Sequence, residues 1–80
     1  MIPAESVPAF EAFAARIMAA QDGFVATLME RGDLTRDDAL AVFLKYRRAK
    51  AIKRDTTNNT WTVKHGALLD REVIRANVKD

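Results

Sequence analysis

Residues 35–63 read TRDDALAVFLKYRRAKAIKRDTTNNTWTV, and two different hydrophobic periods meet inside them. Over Ala39, Val42, Phe43, Tyr46 and Ala49 the apolar residues recur at three- and four-residue steps, the spacing of one face of an α-helix of about 16 residues, widened by Leu40 and Leu44. Thr35 stands where a helix cap is needed, and Asp37 and Asp38 follow in the first turn, where negative charge complements the exposed N–H groups. Beyond Ala51 the period changes to two. Ile52, Arg54, Trp61 and Val63 share one face of a predicted hairpin, and Lys53, Asp55, Thr60, Thr62 and Lys64 share the other. Asn58-Asn59 supplies the turn because asparagine tolerates positive φ, and a two-residue or a four-residue loop sorts the faces identically. The inner face is apolar apart from Arg54, whose guanidinium is expected on the Trp61 ring.

The flanking sequence completes a small α+β domain: two or three N-terminal helices, a β-hairpin at about 51–55 and 60–64, and a short C-terminal helix. Upstream, Ser6 is a candidate cap with Pro8 in the opening turn, followed by Phe10, Phe13, Ala14, Ile17, Met18 and Gln21 at helical spacing. The apolar set resumes nearly in phase at Phe24, Val25, Leu28 and Met29. Residues 7–31 are read either as one long helix bent at Gly23 or as two helices, the second favoured slightly because a mid-helix glycine costs about 1 kcal/mol relative to alanine. Gly32 suits the left-handed position after a helix end. Downstream, Gly66 ends the second strand, Leu68 and Leu69 return to the core, and Asp70 caps a last helix from Arg71 to about Val78, with Val73 and Ile74 inward.

Eighty residues, 49% of them hydrophobic, make one globular domain over 1–80. The absence of cysteine removes disulfide and thiolate metal chemistry and fits a cytoplasmic setting. No apolar run reaches the roughly 20 residues of a membrane span, and the N-terminal stretch, carrying Glu5, Glu11 and Arg16, is not a secretory signal. A single His65 and a single Ser6 offer no triad and no imidazole pair for a metal, and the three glycines form no phosphate loop. Asp37 and Asp38, adjacent on a helix, point about 100° apart and do not make a carboxylate pair. No enzyme, metal or cofactor is expected.

Charge divides the chain: residues 1–40 sum to −4 and residues 41–80 to +6. The candidate binding residues are Lys45, Arg47, Arg48, Lys50, Lys53, Arg54 and Lys64, with Arg71 and Arg75 expected nearby. Cations so gathered suit phosphates through counterion release, yet bases at a helix end also complement its dipole without any ligand. Trp61 is read as core on the strength of its alternation, and Phe10, Phe13, Phe24 and Met29 as core or as a dimer seam.

Across residues 22–65, a helix ending at Arg31, an RGDL turn, the helix from Thr35 and then IKRDTTNNTWTV resemble the winged helix-turn-helix arrangement. That resemblance implies duplex DNA as ligand, α-helical residues in the major groove, and wing residues Thr56 to Asn59 near phosphates. The expected function is therefore a small regulatory protein whose basic helix and hairpin contact nucleic acid. The second reading is a protein-binding inhibitor or adaptor of host machinery, since the chain also resembles small phage and prophage proteins, anti-CRISPRs among them. A homodimer joining the basic half of one copy to the acidic half of another is the third.

Overall fold

The computed structural model describes the backbone of residues 7–78 and the side chains of residues 11–78. Helix α1 spans Val7–Gly32, α2 Arg36–Arg48, strands β1 and β2 Ile52–Asp55 and Thr60–Val63, a 3-10 turn Gly66–Leu69, and α3 Arg71–Ala76. The expected α+β architecture is present, with the two strands antiparallel in the register Ile52–Val63, Lys53–Thr62, Arg54–Trp61 and Asp55–Thr60. The Ser6 cap and the side chain of Phe10 lie outside the described residues.

Of the two readings of residues 7–31, the slightly less favoured one holds: α1 is one helix of 26 residues. Ala20, Phe24, Val25 and Leu28 are buried together in the core. Interrupting the helix at Gly23 would take Phe24 and Val25 out of phase with Ala20, and burying either of those side chains is worth roughly 1.5–3 kcal/mol, more than the glycine costs. The rest of the core comes from Ala39, Val42, Phe43 and Tyr46 of α2, Ile52 of β1 and Ile74 of α3. Phe43 is its centre: its ring lies 5.8 Å from Phe24 and meets Trp61 edge-on at 5.4 Å. Trp61, as expected, packs against this core from the inner hairpin face.

Gly32 does not take the left-handed position; Asp33 does, at φ 54°. The amide of Leu34 donates to the carbonyl of Met29 at 3.0 Å, closing the end of α1 around Asp33. Gly32 is instead required by a close approach. A Cβ there would sit 2.5 Å from Cγ2 of Ile74 and 3.1 Å from Cγ of Leu34.

Thr35 caps α2 as read from the sequence, its hydroxyl accepting from the Asp38 amide at 3.3 Å. The helix is shorter than expected, 13 residues, and Ala49 is exposed outside the stripe. It ends in a Schellman motif: Ala51 N–H donates to Tyr46 C=O at 2.9 Å, Lys50 N–H donates to Arg47 C=O at 3.1 Å, and Lys50 takes φ 56°. That reversal turns the chain from α2 into β1.

A four-residue loop closes the hairpin. The Asp55 carboxylate accepts from the backbone amides of Thr57 and Asn58 and from the Asn58 side chain, while Asn59 adopts φ 55°. Hydrogen bonds from the Asn58 side chain and backbone, helped by Thr57 and Arg54, hold the Asp55 carboxyl below the usual range. Leu68 and Leu69 pack on the core from the 3-10 turn. Asp70 occupies the cap position of α3, but its side chain makes no cap bond, and α3 ends at Ala76 rather than Val78.

Tyr46, the only tyrosine, donates its hydroxyl to the Leu68 carbonyl at 2.8 Å. Burial raises its pKa above 10.0, against a smaller opposing effect of Asn77. The neutral phenol is thus favoured in the fold. Its contribution is complete below pH 10 and is lost as pH rises through the raised folded value. An alkaline absorbance titration is expected to place the phenolate midpoint above 10 in the folded chain and at about 10 in urea. Tyr46→Phe removes the phenolate signal and costs about 1 kcal/mol through the lost hydrogen bond.

Candidate nucleic-acid interface

The residues gathered by sequence separate into three groups once folded. Arg48, Lys50, Lys53 and Lys64 are exposed, and none of their side chains makes an ion pair or hydrogen bond with a described residue. They lie on contiguous backbone. Arg48 and Lys50 stand at the α2 reversal, Lys53 is on the outer face of β1, and Lys64 N–H donates to Ala51 C=O at 3.0 Å, extending the ladder by one rung. Lys64 therefore sits diagonally from Lys53 on the same outer face, within reach of one polyanion backbone. Thr62 lies between them, its hydroxyl donating to Lys53 C=O at 3.3 Å.

Arg47 and Arg54 have structural work. The expected stacking of Arg54 on Trp61 is not observed; the cation over that ring is Arg47, 5.9 Å from its centroid. Arg54 turns along its own strand, donating to Asn59 Oδ1 at 2.6 Å and to the carbonyls of Asp55 and Thr60. The four-residue loop explains the difference, since it brings Asn59 within reach of the guanidinium. Lys45 is half-buried on α2 and also has an interaction.

Arg71 and Arg75 do not join this surface. Arg75 donates through one nitrogen to the carbonyls of Gly32 and Asp33 at 2.9 and 3.0 Å, and Arg71 pairs with Asp33 at 3.5 Å. Both fasten α3 to the end of α1, a cation serving the carbonyls that a helix terminus leaves open.

The hairpin tip is not a free-standing wing. Arg16 of α1 donates to the carbonyl of Thr56 at 2.7 Å and pins the tip to the helix. No sequence signal identifies that pairing, which spans 40 positions. Alongside it, Gly23, Phe24 and Thr27 of α1 and Thr60 to Val63 of β2 line an open groove of about 470 Å³.

Electrostatics favour one end of α2 over the other. Asp37 and Asp38 are exposed in its first turn, and the cations Arg47 and Arg48 close its last. Thirteen residues separate the two ends by roughly 18 Å. That is about twice the screening length at physiological salt, so the acids do not cancel the basic end. The start of α2, where a recognition helix normally reads bases, carries the wrong charge for phosphate.

His65 is exposed, in the position before the 3-10 turn, and its side chain makes no cap bond. Among the described residues no three His, Cys, Asp or Glu side chains are placed to hold a metal, and no helix is long and apolar enough to cross a membrane. The fold and this surface define the chain as a small α+β domain with a basic helix-to-hairpin edge. No protein family, curated protein or solved structure matches it.

Proposed function

We infer that the protein is a non-enzymatic nucleic-acid-binding protein that grips the phosphate backbone with the end of α2 and the outer hairpin face. The observation that carries this reading is the unneutralised quartet Arg48, Lys50, Lys53 and Lys64 on contiguous backbone. Lys45 and Arg47 add positive potential beside it, and Arg54 acts by holding the hairpin. Binding through phosphates positions a protein on a strand without reading bases, so affinity is weakly sequence-dependent. The acidic start of α2 keeps that helix from lying along the major groove.

Titration of labelled duplex and single-stranded DNA at two salt concentrations tests the reading. The affinity for duplex is expected to fall steeply with salt. Lys53→Gln with Lys64→Gln weakens binding on every sequence and lowers the logarithmic salt slope by about 0.9 for each phosphate no longer neutralised. Lys50→Gly separates function from fold. It removes a cation, yet it stabilises the chain by roughly 0.5–1 kcal/mol, because glycine relieves the left-handed backbone at Lys50. No binding at low salt ends the proposal.

A further inference from the structure

The stripe of α1 that builds the core does not stop where the body of the protein stops. Leu28, Phe24 and Ala20 are 0%, 6% and 3% exposed, and the same three- and four-residue steps continue through Ile17 and Phe13, which are 40% and 62% exposed. Met18, seven residues before the fully buried Val25, is 48% exposed. Every residue from Glu11 to Ala19 is exposed, so no described part of the chain covers this segment. The molecule is accordingly elongated, 48 × 23 × 20 Å. Alanines at 12, 14, 15 and 19 suffice to keep the segment helical. They do not explain Phe13, Ile17 and Met18 in phase with the core.

We propose that this stripe is the seam of a homodimer, in which Phe13, Ile17 and Met18 of α1 pack against the same residues of a second copy. Two features select a second copy. The segment carries one acid, Glu11, and one base, Arg16, and Arg16 is engaged with Thr56 of its own chain, so no net charge marks it for an ionic partner. A neutral apolar stripe is self-complementary, which is what a two-fold interface requires. The area sets the strength of the pairing. An aromatic side chain buries 150–250 Å², so Phe13 offers on the order of 100 Å², and Ile17 with Met18 adds a similar amount. Two copies together cover roughly 400 Å² from these side chains alone, under the roughly 1,000 Å² of a stable interface, so the pairing is weak and reversible. The net charge of +2 per chain opposes pairing only weakly. If the basic edge binds nucleic acid, the pair presents two such edges to one strand and gains by avidity. The dimer itself does not depend on that reading.

Sedimentation equilibrium of the full chain without nucleic acid provides the test. The expected result is a monomer–dimer equilibrium, with the dissociation constant raised roughly tenfold or more by Phe13→Glu with Ile17→Glu. Because both residues are exposed within one chain, the unfolding midpoint of that variant matches the wild type at concentrations below the dimer dissociation constant. The chain has no cysteine, so single cysteines give a second readout independent of the charged variant. A short bis-maleimide is expected to join chains carrying Ala14→Cys, Ile17→Cys or Met18→Cys, and to leave Lys64→Cys chains single. A wild type that stays monomeric at the highest concentration reached overturns the proposal. So does a dimer that survives the charged variant with its fold intact, or one that cross-links through position 64 and not through the α1 positions. Loss of DNA binding in a variant that still dimerises bears on the basic edge alone.

Discussion

Phe43→Ala is expected to abolish stable folding. Phe43 is fully buried and touches the ring of Phe24 on α1 and the ring of Trp61 on β2, so its loss opens a cavity where both helices and the hairpin meet. Truncating a buried phenylalanine costs about 3–5 kcal/mol, and a chain this short holds only about that much net stability. Far-UV circular dichroism at 25 °C is expected to show mostly unfolded chain. Trp61 fluorescence is expected to shift to the solvated wavelength, since Trp61 is the only tryptophan and half-buried against that ring. Phe43→Leu fills most of the volume and is expected to stay folded with a loss of about 1–1.5 kcal/mol. A folded Phe43→Ala variant with native fluorescence contradicts the packing described.

The second large effect comes from two glycines of one helix with opposite signs. At Gly32 a methyl group would lie 2.5 Å from Cγ2 and 3.3 Å from Cβ of Ile74. Ile74 is fully buried and β-branched, so Cγ2 cannot swing aside and α3 must move as a body. Gly32→Ala is expected to cost roughly 1–3 kcal/mol as overpacking, read as a lower urea midpoint with an unchanged slope. It would also disturb the Arg75 bonds to the carbonyls of Gly32 and Asp33. At Gly23 an added Cβ meets nothing within 4 Å. Gly23→Ala is therefore expected to stabilise the protein by up to about 1 kcal/mol through helix propensity alone. The same change of the two residues thus moves the midpoint in opposite directions, and equal shifts would refute the account of both.

What could be read without coordinates was local. The Thr35 cap, the apolar stripe of α2, the sorting of the hairpin faces and the inward Trp61 each follow from interactions within a few residues or from a simple period. Those signals survive in any packing. Gly23 and Gly32 escape such a reading for one reason: propensity assigns glycine a break or a left-handed turn, and it has no knowledge of what lies opposite. Continuous burial of Phe24 and Val25 decided the first, and the approach of Ile74 decided the second.

The basic edge shows the same division. Charge asymmetry and the positions of the cations along α2 and the strands are properties of the sequence. Which cations remain unpaired is a property of the fold. Arg47 reached Trp61, Arg54 reached Asn59, and Arg75 reached a helix end 43 residues away. Long, flexible side chains find partners that no periodicity encodes. The sequence by itself determined the α+β class, the capped helix, the sorting of the hairpin faces and a cationic second half. Only the tertiary structure decided that α1 is continuous, that the hairpin tip is pinned by Arg16, and that Phe13, Ile17 and Met18 stand uncovered. The physical reason is that period and propensity act along the chain, whereas coverage is settled by whatever the rest of the chain brings alongside.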